Sequence, residues 1–366
     1  MRPEPTRAAR LAARLAARLA AHAAVSTALS LCSDRRLQEL VDAGTPVGSG
    51  IGGQTVLLDV EGTPVFVKQV RLTDLERRPE NLRSTANLFG LPAFCHSGVG
   101  TIGGPGFGAW RELATHVMTT SWVIAGDHHG FPLMHHWRVL PDAGRPLPEE
   151  LADVEHAVAY WGGGPQIRHR IEALAQSSAS VTLFLEYFPY DLHDWLGAQV
   201  EAGGEAAERA CAMVEAELES GVAFMNARGL LHFDAHFQNI LTDGEQLYLA
   251  DYGLAISSRF DLDPDEAVFL DDHHGYDRAY TATHLVNWLA VALHGYDPDS
   301  RREFVRSCAR GVVPGNVPTA LAAVLLRHAP VAALVGDFYR QFQRESRLAP
   351  FPLEAVREVG RAGRPG

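Results

Sequence analysis

The chain has 366 residues, 46% of them apolar, which is enough to bury a substantial core in one large domain or two ordinary ones. Charged residues make up 21% and the formal net charge is −12, which excludes wholesale disorder, a fibrous rod and a generic nucleic-acid coat. The four cysteines are far apart and form no Cys-x-x-Cys pair, which indicates free thiols in a reducing, cytoplasmic compartment. We find no apolar run of 18 residues and predict no transmembrane segment.

The N-terminal segment repeats an Arg-Leu-Ala-Ala unit over residues 6–24 and places Leu11, Leu15 and Leu19 four residues apart. This spacing predicts an amphipathic helix within residues 1–30, with arginines beside its apolar stripe. The pattern is similar to that of a mitochondrial presequence, and it would also suit contact with a membrane surface. The simpler expectation is a helix that docks on its own domain or frays in solvent.

Residues 45–71 predict a strand, a glycine-rich loop, a second strand, a tight turn at Glu61-Gly62 and a third strand. The alternation of apolar residues in VLLDV and VFVKQV is the basis for the last two strands. The elements predicted after them are an irregular Gly- and Pro-rich insertion (78–108), a helix (109–123), a strand (131–140), two helices broken by three glycines (147–178), a strand (181–188), a helix from Leu192, and mostly helix from 205 with short strands near 231–256.

Strands come first in this order and helices follow, which predicts an α+β protein of two lobes with a hinge near residues 186–191. We divide the chain into an N-terminal amphipathic helix (1–30), a β-rich N-terminal lobe with helical insertions (31–187) and a helical C-terminal lobe (188–366). The candidate catalytic loop described below lies in the C-terminal lobe.

The glycine-rich loop contains Gly48, Gly50 and Gly53 at the spacing G-x-G-x-x-G. Glycine has no Cβ, so its backbone N–H groups can approach phosphate oxygens closely. The pattern alone is weak in a chain with 34 glycines. A predicted strand follows it where a dinucleotide-binding fingerprint requires a helix, and no G-K-[ST] sequence indicates a Walker A loop.

Lys68 is the only lysine among the 32 basic residues, and it lies inside the apolar run VFVKQV. An ammonium group on a half-buried strand needs an anionic partner, because burying it unpaired costs several kcal/mol. Nucleotide phosphates and a helix carboxylate would both serve, and Glu112 is our candidate for the carboxylate. The alternative is a lysine on an edge strand that reaches water.

A second constellation lies in residues 230–255, where His232, Asp234 and Asn239 fit H-x-D-x-x-x-x-N and Asp251 opens D-Y-G twelve residues later. Two short predicted strands with an Asp-Gly turn between them bring Asn239 and Asp251 to one end of a hairpin. Their oxygens could hold Mg²⁺ on a nucleotide there. Asp234 then stays available to accept a proton from an attacking hydroxyl group. Each carboxylate alone could be a loop residue or a helix cap, and the spacing of all four residues favours the functional interpretation.

In this order, the glycine loop, strand lysine, helix glutamate, hinge strand, H-x-D-x-x-x-x-N and D-Y-G resemble the protein-kinase-like superfamily over roughly residues 45–300. The resemblance implies a bilobal fold and an ATP- and Mg²⁺-dependent kinase that phosphorylates a hydroxyl-bearing substrate. For nucleotide binding, it implies that Gly48, Gly50 and Gly53 cover the ATP phosphates and that the segment around Glu186 offers backbone groups to adenine. Lys68 would contact the α/β-phosphates, and Glu112 would orient Lys68. For catalysis, it implies that Asp234 is the catalytic base acting with Lys68 and Asn239, and that Asn239 and Asp251 bind Mg²⁺.

Departures from the family pattern leave the acceptor open. Phe233 and His236 occupy places that typical protein kinases give to Arg and Lys, and Tyr252 replaces the usual Phe. No A-P-E sequence follows Asp251, and Lys68 and Glu112 are separated by a long insertion. D-Y-G and the loop-plus-lysine arrangement favour a protein Ser/Thr kinase. The missing Arg and Lys favour a small-molecule kinase of the aminoglycoside or choline type.

Two other interpretations compete with the kinase. His232, Asp234 and His236 alternate, so on a strand they would share a face and could bind a metal ion as in a metallohydrolase. The clusters that could complete such a site are Asp127-His128-His129, His135-His136 and Asp271-Asp272-His273-His274. The other interpretation is a pseudokinase that binds partners without catalysis, and it competes less well because the catalytic residues are all present.

Overall fold

The structure, a computed structural model, describes residues 6–50, 53–98, 100, 102–142, 144–313, 315 and 317–362. It is mixed α+β, as predicted. Its strands are β1 (Thr45–Gly50), β2 (Gly53–Val60), β3 (Thr63–Leu72), β4 (Met134–Pro141), β5 (Ala179–Glu186), β6 (Tyr190–Asp191), β7 (Leu230–Leu231), β8 (Ile240–Thr242), β9 (Leu247–Leu249) and β10 (Ile256–Ser257). Its helices are α1 (Arg7–Ser30), α2 (Asp34–Asp42), α3 (Ala109–Ala125), α4 (Glu149–Ala152), α5 (Val154–Tyr160), α6 (Pro165–Ala175), α7 (Leu192–Ala202), α8 (Gly204–Ala227), α9 (Pro264–Asp272), α10 (Tyr276–His294), α11 (Pro298–Ala309), α12 (Thr319–Arg344) and α13 (Leu353–Ala362).

The main sheet has five antiparallel strands in the order β1-β2-β3-β5-β4. Because side chains alternate along a strand, Val65 and Val67 of β3 pack against α1 and α2, whereas Phe66 and Val70 face α3. Lys68 has the same parity as Phe66 and Val70. The sheet therefore directs the one lysine of the chain toward α3.

Helix α1 docks on its own chain. Leu15 and Leu19 pack against the helical core, while Val25 and Leu29 are buried under the sheet. Four arginines one turn apart pair with acidic residues of the same chain: Arg7 with Glu217, Arg10 with Glu245, Arg14 with Asp243 and Arg18 with Glu186. The helix thus joins the sheet to the helical part of the molecule. This contact agrees with the simpler of the expectations for the segment.

Both insertions pack against the C-terminal helices. In its described residues, the segment 78–108 contains two short 3-10 helices and is otherwise irregular, as predicted. Residues 147–178 form three helices where two were predicted, with the predicted glycine break at 162–164. Phe107 and Trp161 from these segments share a buried core with Phe233 of the candidate catalytic loop. The insertions therefore build part of the surroundings of that loop.

One helix within the described residues, α12, is long and apolar enough to cross a membrane, although it is a candidate by length and composition only. It packs against α10 and α11, and it contains Pro330. Helices α1 and α2 would meet the same criterion only as a pair, and they are bent by 116°. The four cysteines are free thiols, as predicted.

A buried ion pair connects α3 to the helical part of the molecule. Arg111 donates to both carboxylate oxygens of Glu266 in α9, at 2.6 and 2.9 Å, and the two side chains are 3% and 1% exposed. The guanidinium also donates to the carbonyl of Thr85 at 2.7 Å. Removing one partner of such a pair leaves the other charge buried and uncompensated.

We therefore expect Arg111→Met to lower the free energy of unfolding by about 3–5 kcal/mol, measured by urea denaturation. The control is Arg168→Met. Arg168 makes an equally short pair with Glu155, at 2.7 Å, but on the surface. Its loss should cost far less, because water screens an exposed ion pair and holding two long side chains together costs entropy. Equal losses for the two variants would contradict the role given to Arg111.

Candidate active site

The site is centred on Lys68. Its Nζ lies 2.7 Å from Oε1 of Glu112 in α3 and 2.8 Å from Oδ1 of Asp251, which follows β9. The ammonium and the Glu112 carboxylate are almost completely buried, whereas the Asp251 side chain is 39% exposed. The structure thus brings together three residues that the sequence analysis placed in one site, including the candidate partner Glu112.

The charges of this triad stabilise one another. Burial opposes the charge on Lys68, but Asp251 and Glu112 outweigh it and raise the pKa of the ammonium. Burial raises the pKa of Glu112 despite the neighbouring ammonium. Burial would also raise the pKa of Asp251, but the charge and hydrogen bond of Lys68 lower it to about 2. Lys68 and Asp251 are therefore both ionised at neutral pH.

Asp234 and Asn239 form the second part of the site. The Asn239 amide nitrogen donates to the Asp234 carbonyl at 2.9 Å and to its Oδ2 at 3.1 Å. Burial, together with the charge of Asp251, raises the pKa of Asp234 to about 8. A carboxylate whose pKa lies near neutrality is suited to accept a proton from a hydroxyl group.

The predicted hairpin places Asn239 beside Asp251. Strands β8 and β9 pair, with Ile240 opposite Leu249, and the Ala250 amide donates to the Asn239 carbonyl at 3.0 Å. Asp251 has a φ of +60°, a left-handed conformation that costs a non-glycine residue about 1–3 kcal/mol. The surrounding contacts therefore hold the carboxylate in an orientation that the backbone alone would not choose.

The donor set of these two residues fits a hard cation. Lys68 and the Gly253 amide use Oδ1 of Asp251, while Oδ2 has no hydrogen-bond partner among the described residues. Asn239 directs its amide nitrogen to Asp234, and its Oδ1 likewise has no partner in the described part of the chain. An ionised carboxylate oxygen and an amide oxygen are ligands that Mg²⁺ accepts.

Asp277, at the start of α10, holds the candidate catalytic loop and was not among the residues predicted from the sequence. Its carboxylate accepts hydrogen bonds from the backbone amides of His232, at 2.8 Å, and Phe233, at 2.9 Å. Phe233 has a φ of +64°, so these bonds hold a strained backbone directly before Asp234. Asp277 is completely buried. Nothing in the sequence distinguishes it from the other acidic residues of 271–277.

Three aromatic rings connect α3 to the candidate catalytic loop. His116, one turn after Glu112, meets the edge of Tyr252 at 4.8 Å between ring centroids, and Tyr252 contacts His232 at 5.3 Å. His232 also bonds to the Ala250 carbonyl through Nε2, at 2.9 Å. Burial lowers the pKa of His116 to about 3, so this ring is neutral and packs as an aromatic group. The Tyr in D-Y-G is therefore part of the core.

The glycine loop is a β-hairpin in which Gly50 pairs with Gly53, while Ile51 and Gly52 lie outside the described residues. Gly53 has a φ of +119°, and a Cβ on it would be 2.1 Å from the Gln69 carbonyl oxygen. Only glycine fits there, because β2 approaches β3 so closely. Gly48 pairs with Thr55, and a Cβ on it would lie 3.6 Å from the Thr55 hydroxyl oxygen, an ordinary van der Waals contact.

Glu186 lies apart from the Lys68 triad and contacts α1. Its carboxylate accepts two bonds from Arg18, at 2.7 and 2.8 Å, and one from the Leu133 amide. Its own amide donates to the Leu133 carbonyl at 2.8 Å. Arg18 also donates to the carbonyls of His129 and Phe131. The amide and carboxylate of Glu186 are thus occupied within the chain, and its contact with a nucleotide stays a prediction.

The histidine clusters of the metallohydrolase interpretation are not assembled. Among the described residues, no group of three or more His, Cys, Asp or Glu side chains could hold a metal ion. His232 and His236 lie on a loop instead of a strand. His128 stacks on Phe224, and His273 stacks on Phe269, so these rings belong to separate aromatic clusters.

No family model matches the chain, and no curated protein is similar to it in sequence.

The raised pKa of Asp234 predicts a characteristic pH dependence of stability. Between its ordinary value of 3.8 and about 8, the folded state keeps the proton that the unfolded state releases, so this group lowers stability as pH rises. Asp234→Asn removes the effect. In urea denaturation without nucleotide, the free energy of unfolding of the variant should rise relative to that of the wild type by up to about 1.4 kcal/mol per pH unit across this range. A constant difference from pH 5 to pH 8 would contradict it.

Proposed function

We propose that this protein is an ATP- and Mg²⁺-dependent phosphotransferase that transfers the γ-phosphoryl group to a hydroxyl acceptor. The observation that carries the proposal is the buried ion pair of Lys68 with Glu112 and Asp251, next to the hydrogen-bonded pair of Asp234 and Asn239. The finer interpretation of the α+β architecture, a bilobal protein-kinase-like fold hinged near 186–191, is part of the same proposal.

Lys68 binds the α/β-phosphates in this proposal. Its position is determined by Glu112 on one side and Asp251 on the other, so a compact ammonium is presented without further reorganisation. A nucleotide phosphate and the ammonium would then form a charge-assisted contact in surroundings with little water. The hairpin of Gly48, Gly50 and Gly53 would cover the phosphates, with Gly53 fixing the β2–β3 approach.

Asp251 and Asn239 would hold Mg²⁺. The ion, when bound, neutralises charge on the phosphates during transfer. The residues supply an ionised oxygen and an amide oxygen, and the lowered pKa of Asp251 keeps its carboxylate charged over the whole physiological range. Asn239 also orients Asp234 through its amide nitrogen.

Asp234 accepts the acceptor's proton. As the hydroxyl oxygen forms a bond to the γ-phosphorus, the bond from that phosphorus to the β,γ-bridging oxygen breaks and ADP leaves. Asp277 keeps the loop that carries Asp234 in place through the two backbone amides before it. Burial raises the proton affinity of Asp234 in the nucleotide-free protein. The positive charge of Mg²⁺ held by Asp251 and Asn239 would favour the ionised carboxylate, which is the form that accepts the proton.

The lone lysine provides the main test. A nucleotide with a reactive acyl-phosphate should acylate the Lys68 amine, and excess Mg-ATP should suppress the labelling, which mass spectrometry would map to VFVKQV. Lys68→Arg should preserve the fold but lower activity steeply, because a planar guanidinium places the phosphates differently. Labelling that ATP leaves unchanged would overturn the nucleotide site.

Asp251→Ala tests the metal assignment. It should weaken binding of Mg-ATP far more than binding of metal-free ATP, measured by calorimetry, because only the former uses the carboxylate. Asp234→Asn is the matched comparison. It should lower turnover by orders of magnitude and still bind Mg-ATP. An equal loss of both nucleotide forms in Asp251→Ala would make Asp251 purely structural.

A further inference from the structure

A cavity of about 580 Å³ opens beside Asp234 and is lined by none of the residues assigned above to phosphate or metal binding. Gly98 forms part of its wall, and a Cβ on Gly98 would be 2.6 Å from Oδ1 of Asp234. His236, also in the wall, has Nε2 3.9 Å from the same oxygen. Two residues of the cavity wall thus lie next to the Asp234 carboxylate, to which an acceptor hydroxyl must come.

The first insertion closes one side of this cavity. Gly98 and Gly100 belong to the segment 78–108, whose buried residues Cys95 and Phe107 pack into the helical core. His96 anchors the segment further, because its Nδ1 lies 2.8 Å from the Leu254 carbonyl. The volume lies within the range of about 300–1,000 Å³ that is usual for small-molecule sites. A space of this size suits a small acceptor.

The opposite wall is one face of α10. Residues at positions three and four apart on a helix share a face, and the spacing here continues for three turns. The residues on this face are Tyr280, Thr283, His284, Asn287, Trp288 and Val291. Tyr280 and His284 are stacked with an interplanar angle of 23°, and Trp288 donates to His193 Nδ1 at 3.0 Å. This face offers flat rings together with hydroxyl and amide groups.

The charge of the cavity wall is positive. Arg301 of α11 lines it, and within the described part of the chain its side chain forms no ion pair or hydrogen bond. None of the described lining residues is acidic. Burial, with the charges of neighbouring groups including Arg301, lowers the pKa of His284 to about 3, so that ring is neutral. The nearby Asp191 acts electrostatically on His236 but does not line the cavity. Its carboxylate caps α7 by accepting a hydrogen bond from the Asp194 amide.

We propose that the cavity binds a small hydroxyl compound that carries a ring and a carboxylate or phosphate group, with the ring against α10 and the anionic group at Arg301. This inference rests on the proposed phosphotransfer at Asp234. It separates the protein from kinases of cationic substrates, because a guanidinium in the wall repels an aminoglycoside or choline. Phosphorylation of a protein acceptor is the competing outcome of the test.

The test uses matched probes that differ in charge. Shikimate is compared with methyl shikimate, and glucose 6-phosphate with glucose, while choline, kanamycin and casein represent the other acceptor classes. Binding is measured by calorimetry on the full chain with Mg²⁺ and a non-hydrolysable ATP analogue, and transfer is measured with radiolabelled ATP. At least one anionic probe should bind ten-fold or more tightly than its neutral twin.

Variants of α11 identify the group responsible. Arg301→Gln should weaken binding of the preferred anionic probe roughly ten- to hundred-fold, because a hydrogen bond to a charged group is lost. Arg301→Lys should bind the same probe more tightly than Arg301→Gln and less tightly than the wild type. Arg302→Gln, at the adjacent position, is the control, because Arg302 pairs with Asp299 outside the cavity and its loss should change nothing.

Three results would overturn the inference: neither anionic probe binds, a neutral or cationic probe or casein is preferred, or Arg302→Gln weakens binding as much as Arg301→Gln. Labelling of Lys68 separates these failures from failure of the phosphotransferase itself. If Mg-ATP still suppresses the labelling, only the acceptor class is wrong. If it does not, the nucleotide site is wrong as well.

Discussion

The site depends on burying one ammonium group between two carboxylates from distant parts of the chain. Lys68 and Asp251 are 183 residues apart, and their contact requires β3, α3 and the segment after β9 to meet at one point. An unpaired ammonium at this depth would cost several kcal/mol, and so would the buried Glu112 carboxylate without it. The correct approach of these elements is therefore strongly favoured over any packing that leaves one charge alone.

Helix α3 is held by contacts that form when the chain folds. Glu76 accepts from the Ala109 amide at the start of the helix, at 2.8 Å, and pairs with the buried Arg170. Arg111 pairs with Glu266 one residue before Glu112. Phe233, where the resemblance expects a basic residue, is packed among aromatic rings. The position of α3 beside Lys68 is therefore set by contacts within the chain.

Additions to the core fold build the two edges of the site. Helix α1 contacts the end of β5 through Arg18 and the helical part through Arg14, so it connects the sheet to the helices. The insertion that carries Gly98 closes the space beside Asp234. Helix α1 is amphipathic and the insertion is glycine-rich, and each acquires a defined position only through partners far along the chain. In the proposed function, these segments would influence the choice of acceptor without changing the residues proposed to perform the transfer.

Sequence patterns were sufficient to predict the α+β class, the hairpin of β8 and β9, the glycine break at 162–164 and the ion pair of Lys68 with a carboxylate on α3. These features depend on local periodicity, on turn chemistry and on the cost of burying a charge, all of which are visible in short stretches of sequence. The tertiary structure was needed to identify the partner of Arg18, the hydrogen bonds of Asp277 and the cavity at Arg301. Each of these depends on contacts between segments tens to hundreds of residues apart, and an acidic or basic residue carries no local signal of the partner it will meet.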